Sequence, residues 1–343
     1  TRCSRDWSSD VCSSDLCCNK IYLYFFKNKF NGNSHKKYLI NYYQQRQKIA
    51  PSKFCYAPFN NLYFNFSGEI SVCCYNKKHL VGKFPDDNIM DVWNGSKINS
   101  LRNALEKDNL NYGCAICKKT LLNSCFNTIP AIQFDDFSAK KKTPASIEFE
   151  LDNTCNLECI MCSSEYSKSI ERKVNHNSLQ VYTSGFIDYI KPFLITLKRA
   201  KFYGGEPFLI KIYYQIWEEI IKINPRCEIM IQTNGTILND HIKSILKKGN
   251  FIFCVSLDSL QKKKFEEIRK NAVFETVMNN IRFFSDYCNQ KRNFFGIAVC
   301  PMQQNWEEIP EIMSYCNTNN FSIVFNNVLQ PVKCSLHSLA YGK

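Results

Sequence analysis

From Ser146 onward, short apolar runs alternate with longer amphipathic segments. The short runs predict six strands, at residues 146–151, 200–203, 228–232, 251–257, 294–299 and 322–326. The longer segments predict helices, at residues 178–199, 212–223, 239–248 and 305–315. Another helix is predicted where Phe274, Val277, Met278, Ile281 and Phe284 recur at three- and four-residue spacing and form one apolar face. This alternation predicts an α/β fold with parallel strands and right-handed crossovers.

A group of cysteines follows the first of these strands. Cys155, Cys159 and Cys162 form a C-x3-C-x2-C triplet. Three thiolates on one short loop can hold three irons of a cubane [4Fe-4S] cluster, which leaves the fourth iron open to another ligand. A zinc site or chance spacing is the alternative for these cysteines. The missing fourth cysteine favours chemistry at the open iron over a purely structural cluster.

About forty residues after the triplet, Gly204-Gly205-Glu206-Pro207 follows the second predicted strand. The triplet and this motif together resemble the radical S-adenosylmethionine (SAM) superfamily, and the resemblance covers roughly residues 52–331. It implies a partial (β/α)6 barrel, a [4Fe-4S] cluster on the triplet, and SAM bound at the open iron. It further implies that reductive cleavage of SAM gives a 5′-deoxyadenosyl radical, which abstracts hydrogen from a substrate.

The resemblance also implies SAM contacts on the cysteine loop and at the carboxyl ends of later strands, where such barrels collect their chemistry. These cofactor-binding residues are Met161, Gly204, Gly205, Glu206, Asn234, Ser256 and Asp258. Met161 would lie near the adenine, the glycines and Glu206 would hold the amino group of SAM, and Ser256 with Asp258 would hold the ribose. An ordinary strand-end turn with a helix cap is the alternative for Ser256 and Asp258.

A second set of cysteines precedes the barrel. Cys55 and Gly68 are separated by twelve residues, Gly68 and Cys73 by four, and Cys114 and Cys117 form a C-x2-C pair. This arrangement resembles the twitch module, a half-length relative of the SPASM module. It implies a second, auxiliary [4Fe-4S] cluster on Cys55, Cys73, Cys114 and Cys117. Cys74 can replace Cys73 as a ligand, and Cys125 is a spare thiol or an alternative ligand. A zinc staple remains the alternative.

The chain divides into six predicted segments. Residues 1–16 contain Asp6–Leu16, which looks like a translated sequencing adapter, and residues 17–50 are an unreliable or disordered extension. The auxiliary module spans residues 51–138, a lysine-rich linker 139–145, and the radical SAM core 146–331. Residues 332–343 are a tail that we expect to be truncated. The module precedes the barrel, whereas twitch and SPASM modules usually follow it.

Composition narrows the class of protein. The 343 residues are 45% hydrophobic, and no apolar run approaches the twenty residues that span a bilayer. The formal charge of +13 accompanies many Lys, Asn, Ile, Phe and Tyr residues, so a lysine-rich composition explains it better than a nucleic-acid partner does. The nineteen cysteines cluster at metal-ligand spacings, unlike the disulfide framework of a short secreted chain. We therefore expect a cytoplasmic protein without a membrane partner.

The function that follows is a radical SAM enzyme. Analogy with the family favours a peptide or protein substrate and an electron donor such as flavodoxin or ferredoxin. Two other functions stay open: a radical SAM enzyme acting on a small molecule or nucleotide, and a non-catalytic iron-sulfur or zinc-binding module.

Overall fold

The computed structural model describes residues 36–46, 53–137, 142–173, 181–183 and 185–338. Within these ranges nine strands form one sheet. They are β1 (Asn61–Phe64), β2 (Glu69–Ser71), β3 (Gly82–Lys83), β4 (Ser146–Phe149), β5 (Arg199–Phe202), β6 (Glu228–Thr233), β7 (Phe251–Ser256), β8 (Phe295–Val299) and β9 (Ser322–Phe325). Their order across the sheet is β3-β2-β1-β4-β5-β6-β7-β8-β9.

The helices lie mostly between the strands. Those before β4 are α1 (Lys36–Gln45), α2 (Ala57–Asn60), α3 (Ile89–Asn94), α4 (Ser96–Glu106) and α5 (Ala115–Leu122). Those after β4 are α6 (Lys168–Lys173), α7 (Gly185–Leu194), α8 (Lys211–Ile223), α9 (Asp240–Lys248), α10 (Lys262–Ile268), α11 (Phe274–Gln290) and α12 (Ile309–Thr318).

The α/β prediction is confirmed. The six predicted strands are β4 to β9, and each pairs in parallel with the next. The helix predicted over 178–199 is shorter in its described part, where α7 begins at Gly185 and ends at Leu194. Residues 178–180 and 184 of that prediction lie outside the described residues. The helix predicted at 305–315 starts with a 3-10 turn and continues as α12 to Thr318.

Alternate residues of the parallel strands face opposite sides of the sheet, and one side carries an aromatic core. Phe149 of β4 stacks on Phe202 of β5 with ring centroids 4.9 Å apart. Trp217 of α8 meets Phe202 edge to face at 5.6 Å. Such pairs bury large apolar areas and fix the helices against the sheet. The opposite side, here called the inner face, carries Glu148 and Lys201, and it is the side on which polar chemistry can collect.

The segment before the auxiliary module differs from the expected disordered extension. Within residues 17–50, helix α1 buries Leu39, Tyr42 and Tyr43. Arg46 then donates through Nε to Asp135 (2.8 Å) and through Nη1 to the carbonyl of Lys53 (2.7 Å). The helix is therefore docked on the module. The predictions for residues 1–35, 47–52, 138–141 and 339–343 fall outside the described residues. None of the described helices is long and apolar enough to cross a membrane.

The module and the barrel share the sheet. Strand β1 pairs antiparallel with β2 on one side and parallel with β4 on the other. Asn61 lies at this seam and is fully buried. Its Nδ2 donates to the carbonyl of Val72 (2.9 Å), and its Oδ1 accepts a hydrogen bond from Ser146 Oγ. One side chain thus joins the hairpin of the module to the first barrel strand.

Replacing Asn61 with Ala should destabilise the whole protein by roughly 1–3 kcal/mol, because the buried Val72 carbonyl and the Ser146 hydroxyl lose their partner. Urea denaturation should show a lower midpoint with an unchanged slope. The matched control is Asn289→Ala, on the exposed surface of α11, which should leave the midpoint near that of the parent. Equal midpoints for the two variants would contradict the proposed role of the seam.

Candidate functional site

The cysteine loop follows β4 and is held on both sides by hydrogen bonds. The backbone N–H of Glu158 donates to the carbonyl of Lys270 (3.2 Å), and that of Ile160 donates to the carbonyl of Ile268 (2.9 Å). Ser169 Oγ donates to the carbonyl of Cys155 (2.7 Å). The loop is therefore fixed against the segment that ends α10 and against the start of α6.

The three thiols of this loop are half-buried and lie near one another. Burial raises the pKa of Cys162 to about 12, with further contributions from the nearby Cys159 and Cys155 thiols. Burial likewise raises the pKa of Cys155 to about 11. Thiols of this kind stay protonated at neutral pH unless a metal binds, because a coordinating metal removes the proton. The set fits a cluster held by three thiolates.

Gly204 and Gly205 bring the end of β5 against the cysteine loop. Both have positive φ, of 83° and 47° respectively. A Cβ on Gly205 would lie 2.3 Å from the carbonyl oxygen of Thr154, and one on Gly204 would lie 2.8 Å from Glu150 Cγ. The next residue, Glu206, donates its backbone N–H to the same Thr154 carbonyl (2.7 Å). The two glycines are required by this close approach as well as by their conformation.

The Glu206 carboxylate is fully buried and bonded by the protein. Its Oε1 accepts from Thr233 Oγ1 (2.8 Å) and Phe208 N (3.2 Å), and its Oε2 accepts from Asn234 N (2.7 Å). Burial raises the pKa of Glu206 to about 7, while these hydrogen bonds lower it in part. The carboxylate ties the end of β5 to the end of β6. A contact with the amino group of SAM stays a prediction.

Asn234 follows β6 and reaches the cysteine loop. Its Nδ2 lies 3.9 Å from Cys155 Sγ and donates to Asn156 Oδ1 at 3.0 Å. Its Oδ1 accepts from the backbone N–H of Thr236 (2.9 Å). The structure therefore brings Asn234 to the triplet, and its contact with a bound cofactor stays a prediction.

Ser256 is the last residue of β7 and Asp258 lies two residues beyond it, whereas Met161 belongs to the cysteine loop itself. The Asp258 carboxylate is fully buried, and its Oδ1 accepts from Cys300 N (2.7 Å). Ser256 Oγ makes no hydrogen bond to the part of the chain that the structure describes, which leaves it available to a ligand. Met161 packs against a small apolar cluster that includes Met302. The ribose and adenine contacts of these three residues stay predictions.

Sequence reasoning missed Arg269, which directly follows α10. Its guanidinium is buried, forms an ion pair with Asp258 Oδ2 (2.7 Å), and lies with Nη1 3.9 Å from Cys159 Sγ. No motif marks this position, because a single arginine after a lysine-rich helix usually lies on the surface. Only the fold shows that this arginine contacts a cysteine of the triplet.

The second set of cysteines lines one cavity in the module. Cys55, Cys73, Cys114 and Cys117 share it with apolar side chains such as Phe54. Burial raises the pKa of Cys55, Cys114 and Cys117 to about 12 each. Burial also raises the pKa of Cys73, with smaller contributions from Cys74 and Cys55. Four thiols around one cavity fit the ligand set of a [4Fe-4S] cluster.

The two alternative ligands lie elsewhere. Cys74 is within hydrogen-bonding reach of Tyr203, near Glu148 and Glu150, and does not line the cavity. Cys125 is exposed and is also absent from the cavity wall. Gly68, the spacing marker, has φ of 80° at the turn between β1 and β2. The structure thus favours Cys73 over Cys74.

Polar residues of the inner face lie between the two cysteine sites. Glu148 is fully buried, accepts from Tyr203 (2.6 Å), and pairs with Lys201 at 3.2 Å. Tyr63 of β1 donates to Glu150 and stacks on Tyr203 with ring centroids 6.3 Å apart. On the module side of the barrel these residues form a surface that we call the polar wall. It consists of Tyr63, Glu148, Glu150, Lys201 and Tyr203.

No group of three His, Cys, Asp or Glu side chains in the described ranges is arranged for a single metal ion. A tetrahedral zinc site brings its thiolates within about 4 Å of one another. A cubane binds each thiolate at a different iron and so spaces them more widely.

Two family models match the chain. Residues 150–316 match the Radical SAM superfamily, and residues 55–118 match an iron-sulfur cluster-binding domain, SPASM. The first match contains the cysteine loop and all the predicted SAM contacts. The second contains the four cysteines of the module cavity.

Known proteins are similar over parts of the chain. A probable GTP 3′,8-cyclase of Methanocaldococcus jannaschii is 27% identical over 174 residues, which are 50% of this chain and 54% of that protein. A GTP 3′,8-cyclase of Clostridium botulinum is 27% identical over 139 residues, or 39% of this chain and 43% of that protein. The chain thus spans about half the length of the curated relatives it matches.

Solved structures are similar to parts of the chain at low identity. Native anSMEcpe with bound AdoMet is 21% identical with a TM-score of 0.44, covering 54% of this chain and 52% of that one. Streptococcus suis SuiB bound to S-adenosylmethionine is 15% identical with a TM-score of 0.44, covering 72% of this chain and 57% of that one.

The positions of Cys73 and Cys74 allow a sharp test. After anaerobic reconstitution, Cys73→Ala should lose up to half of the bound iron, because one of four thiolates of the module cavity disappears. Cys74→Ala, a change at the neighbouring residue, should keep the parent iron content. Iron analysis and the visible absorption of the cluster provide the measurement. The reverse result, iron lost only in Cys74→Ala, would exclude Cys73 as the ligand.

Proposed function

Since the chain belongs to the radical SAM superfamily and carries an iron-sulfur cluster-binding module before its barrel, we propose that Cys155, Cys159 and Cys162 hold the cluster to which SAM binds. The observation that carries this proposal is the meeting of the cysteine loop with the ends of β5 and β6. Gly205 and Asn234 both contact that loop. When bound, the cluster and SAM supply a one-electron cleavage that gives a 5′-deoxyadenosyl radical for hydrogen abstraction.

In this proposal the residues of the chain position the bound SAM and exclude water from the site. Gly204 and Gly205 present backbone to the ligand without side chains. Ser256 offers a hydroxyl at the end of β7. Glu206 keeps the glycine turn and the Thr233-Asn234 turn in a fixed relation through its three hydrogen bonds. The auxiliary cluster sits on Cys55, Cys73, Cys114 and Cys117, and flavodoxin or ferredoxin is the proposed electron donor.

We further propose a peptide or protein substrate, on the basis of charge in the barrel. A nucleoside triphosphate carries several negative charges and needs arginines or lysines that are free to bind them. On the polar wall the single lysine, Lys201, is already paired with Glu148, and Glu150 adds a second carboxylate. Among the other inner-face positions of β5 to β8, Arg199 is paired with Glu228 at 2.7 Å, and the uncharged positions include Met230, Gln232, Cys254, Ser256 and Ala298.

A small molecule or nucleotide is the second candidate, because curated relatives that match part of the chain are named GTP 3′,8-cyclases. Their matches cover 50% and 39% of this chain, and similarity of fold alone does not assign a substrate. The polar wall separates the two candidates, because its only lysine is already paired with Glu148 and is not free to bind phosphate.

Cys159→Ala should abolish the formation of 5′-deoxyadenosine from SAM under reducing conditions, because the proposed cluster keeps only two of its three ligands. The control is Cys316→Ala, a buried cysteine of α12 remote from both cysteine sites. Chromatography coupled to mass spectrometry measures 5′-deoxyadenosine in each case. Formation at the parent rate in Cys159→Ala would rule out this mechanism, and absence of 5′-deoxyadenosine from the reconstituted parent would favour the non-catalytic or zinc-binding alternative.

The two substrate classes can be distinguished by their effect on the rate of 5′-deoxyadenosine formation. GTP added to the reduced enzyme with SAM should neither be consumed nor raise the rate of 5′-deoxyadenosine formation. A small peptide encoded beside this gene should raise that rate and change in mass. Consumption of GTP with formation of a new nucleotide product would overturn the peptide proposal and leave the radical SAM assignment intact.

A further inference from the structure

Arg269 and Asp258 form a buried ion pair against one cysteine of the triplet. The guanidinium Nη2 and the carboxylate Oδ2 are 2.7 Å apart, and both side chains are shielded from solvent. A buried ion pair costs desolvation free energy and contributes little net stability unless its geometry is fixed by further bonds. Its presence here calls for an explanation in terms of what the pair contacts.

The carboxylate of Asp258 is held from two sides. Its Oδ1 accepts the backbone N–H of Cys300 (2.7 Å), and its Oδ2 faces Arg269. The backbone carbonyl of Asp258 also accepts from Asn305 Nδ2 (2.7 Å). Asp258 is therefore anchored to the end of β8 and to the turn before α12, and both of its carboxylate oxygens are engaged by protein groups.

The guanidinium is in turn aimed at the cysteine loop. Its Nη1 lies 3.9 Å from Cys159 Sγ. Burial raises the pKa of Cys159, and the adjacent Arg269 charge lowers it in part. A planar guanidinium donates in fixed directions, so an anchored arginine holds both its charge and its hydrogen bond at one place.

We infer that Arg269 is a positioning residue that sets the reduction potential of the cluster on Cys155, Cys159 and Cys162, with Asp258 fixing it beside Cys159. The inference rests on the proposed function, since it takes this triplet as the cluster ligands. Net charge and hydrogen bonds to the sulfurs tune the potentials of iron-sulfur clusters. Gaining an electron makes the cluster more negative, so the nearby guanidinium favours the reduced form and the nearby carboxylate disfavours it.

The two partners should therefore shift the potential in opposite directions. Arg269→Gln removes the cation and should lower the midpoint potential of the cluster. Asp258→Asn removes the anion, leaves the guanidinium uncompensated, and should raise it. Arg269→Lys retains the charge and should lie closer to the parent than Arg269→Gln does. Arg282→Gln, an exposed arginine of α11, is the matched control and should leave the potential unchanged.

The measurement is a redox titration of the reconstituted full-length protein followed by electron paramagnetic resonance. The signal to follow is the one that changes on addition of SAM, which separates it from the auxiliary cluster. A parent without such a signal refutes the proposed function and, with it, the role of Arg269 that depends on that function. With the signal present, shifts of the same sign in Arg269→Gln and Asp258→Asn, or no shift in either, overturn the inference.

Loss of folding or of iron in Arg269→Gln does not remove the test. In that case Asp258→Asn tests the inference. It is expected to raise the midpoint potential, which loss of structural support alone would not be expected to do. An unchanged or lower potential in Asp258→Asn at the parent iron content overturns the inference, and a higher one supports it.

Discussion

The buried carboxylate of Glu206 is the interaction on which the rest of the site depends. It accepts three hydrogen bonds from groups at the starts of two different turns. A buried carboxylate is costly unless it is bonded in this way, so the end of β5 and the end of β6 have to stay together. The adjacent glycine pair lies against Thr154. This contact helps to position the cysteine loop.

The module and the barrel are joined by backbone as well as by side chains. Strand β1 extends the barrel sheet in register with β4, so Tyr63 lies beside Glu148 and the polar wall runs across the junction. Cys73 and Cys74 lie in the bend and turn after β2, beyond Val72. Cys73 lines the module cavity, whereas Cys74 lies within hydrogen-bonding reach of Tyr203 on the polar wall.

The six barrel strands and the ligand motifs were predictable because each depends on local patterns: alternation of apolar runs, cysteine spacing, and a glycine pair after a strand. The docked position of α1 was not, since Leu39 and Tyr42 look like any residues of a lysine- and tyrosine-rich segment until the module they pack on is known. The contact of Arg269 with the cysteine loop and the burial of Glu206 and Asp258 could not be predicted from the sequence either. Their partners come from distant strands and turns, and only the assembled fold brings these groups together.

The shared sheet has a consequence for how the protein is made. About 80 residues separate the end of β1 from the start of β4, so during synthesis β1 leaves the ribosome well before its parallel neighbour exists. Until then its outer edge presents unpaired N–H and C=O groups, a template for wrong pairing with other chains. Because the module comes first, the edge of β1 in the nascent chain stays unpaired and prone to aggregation until β4 has been synthesised.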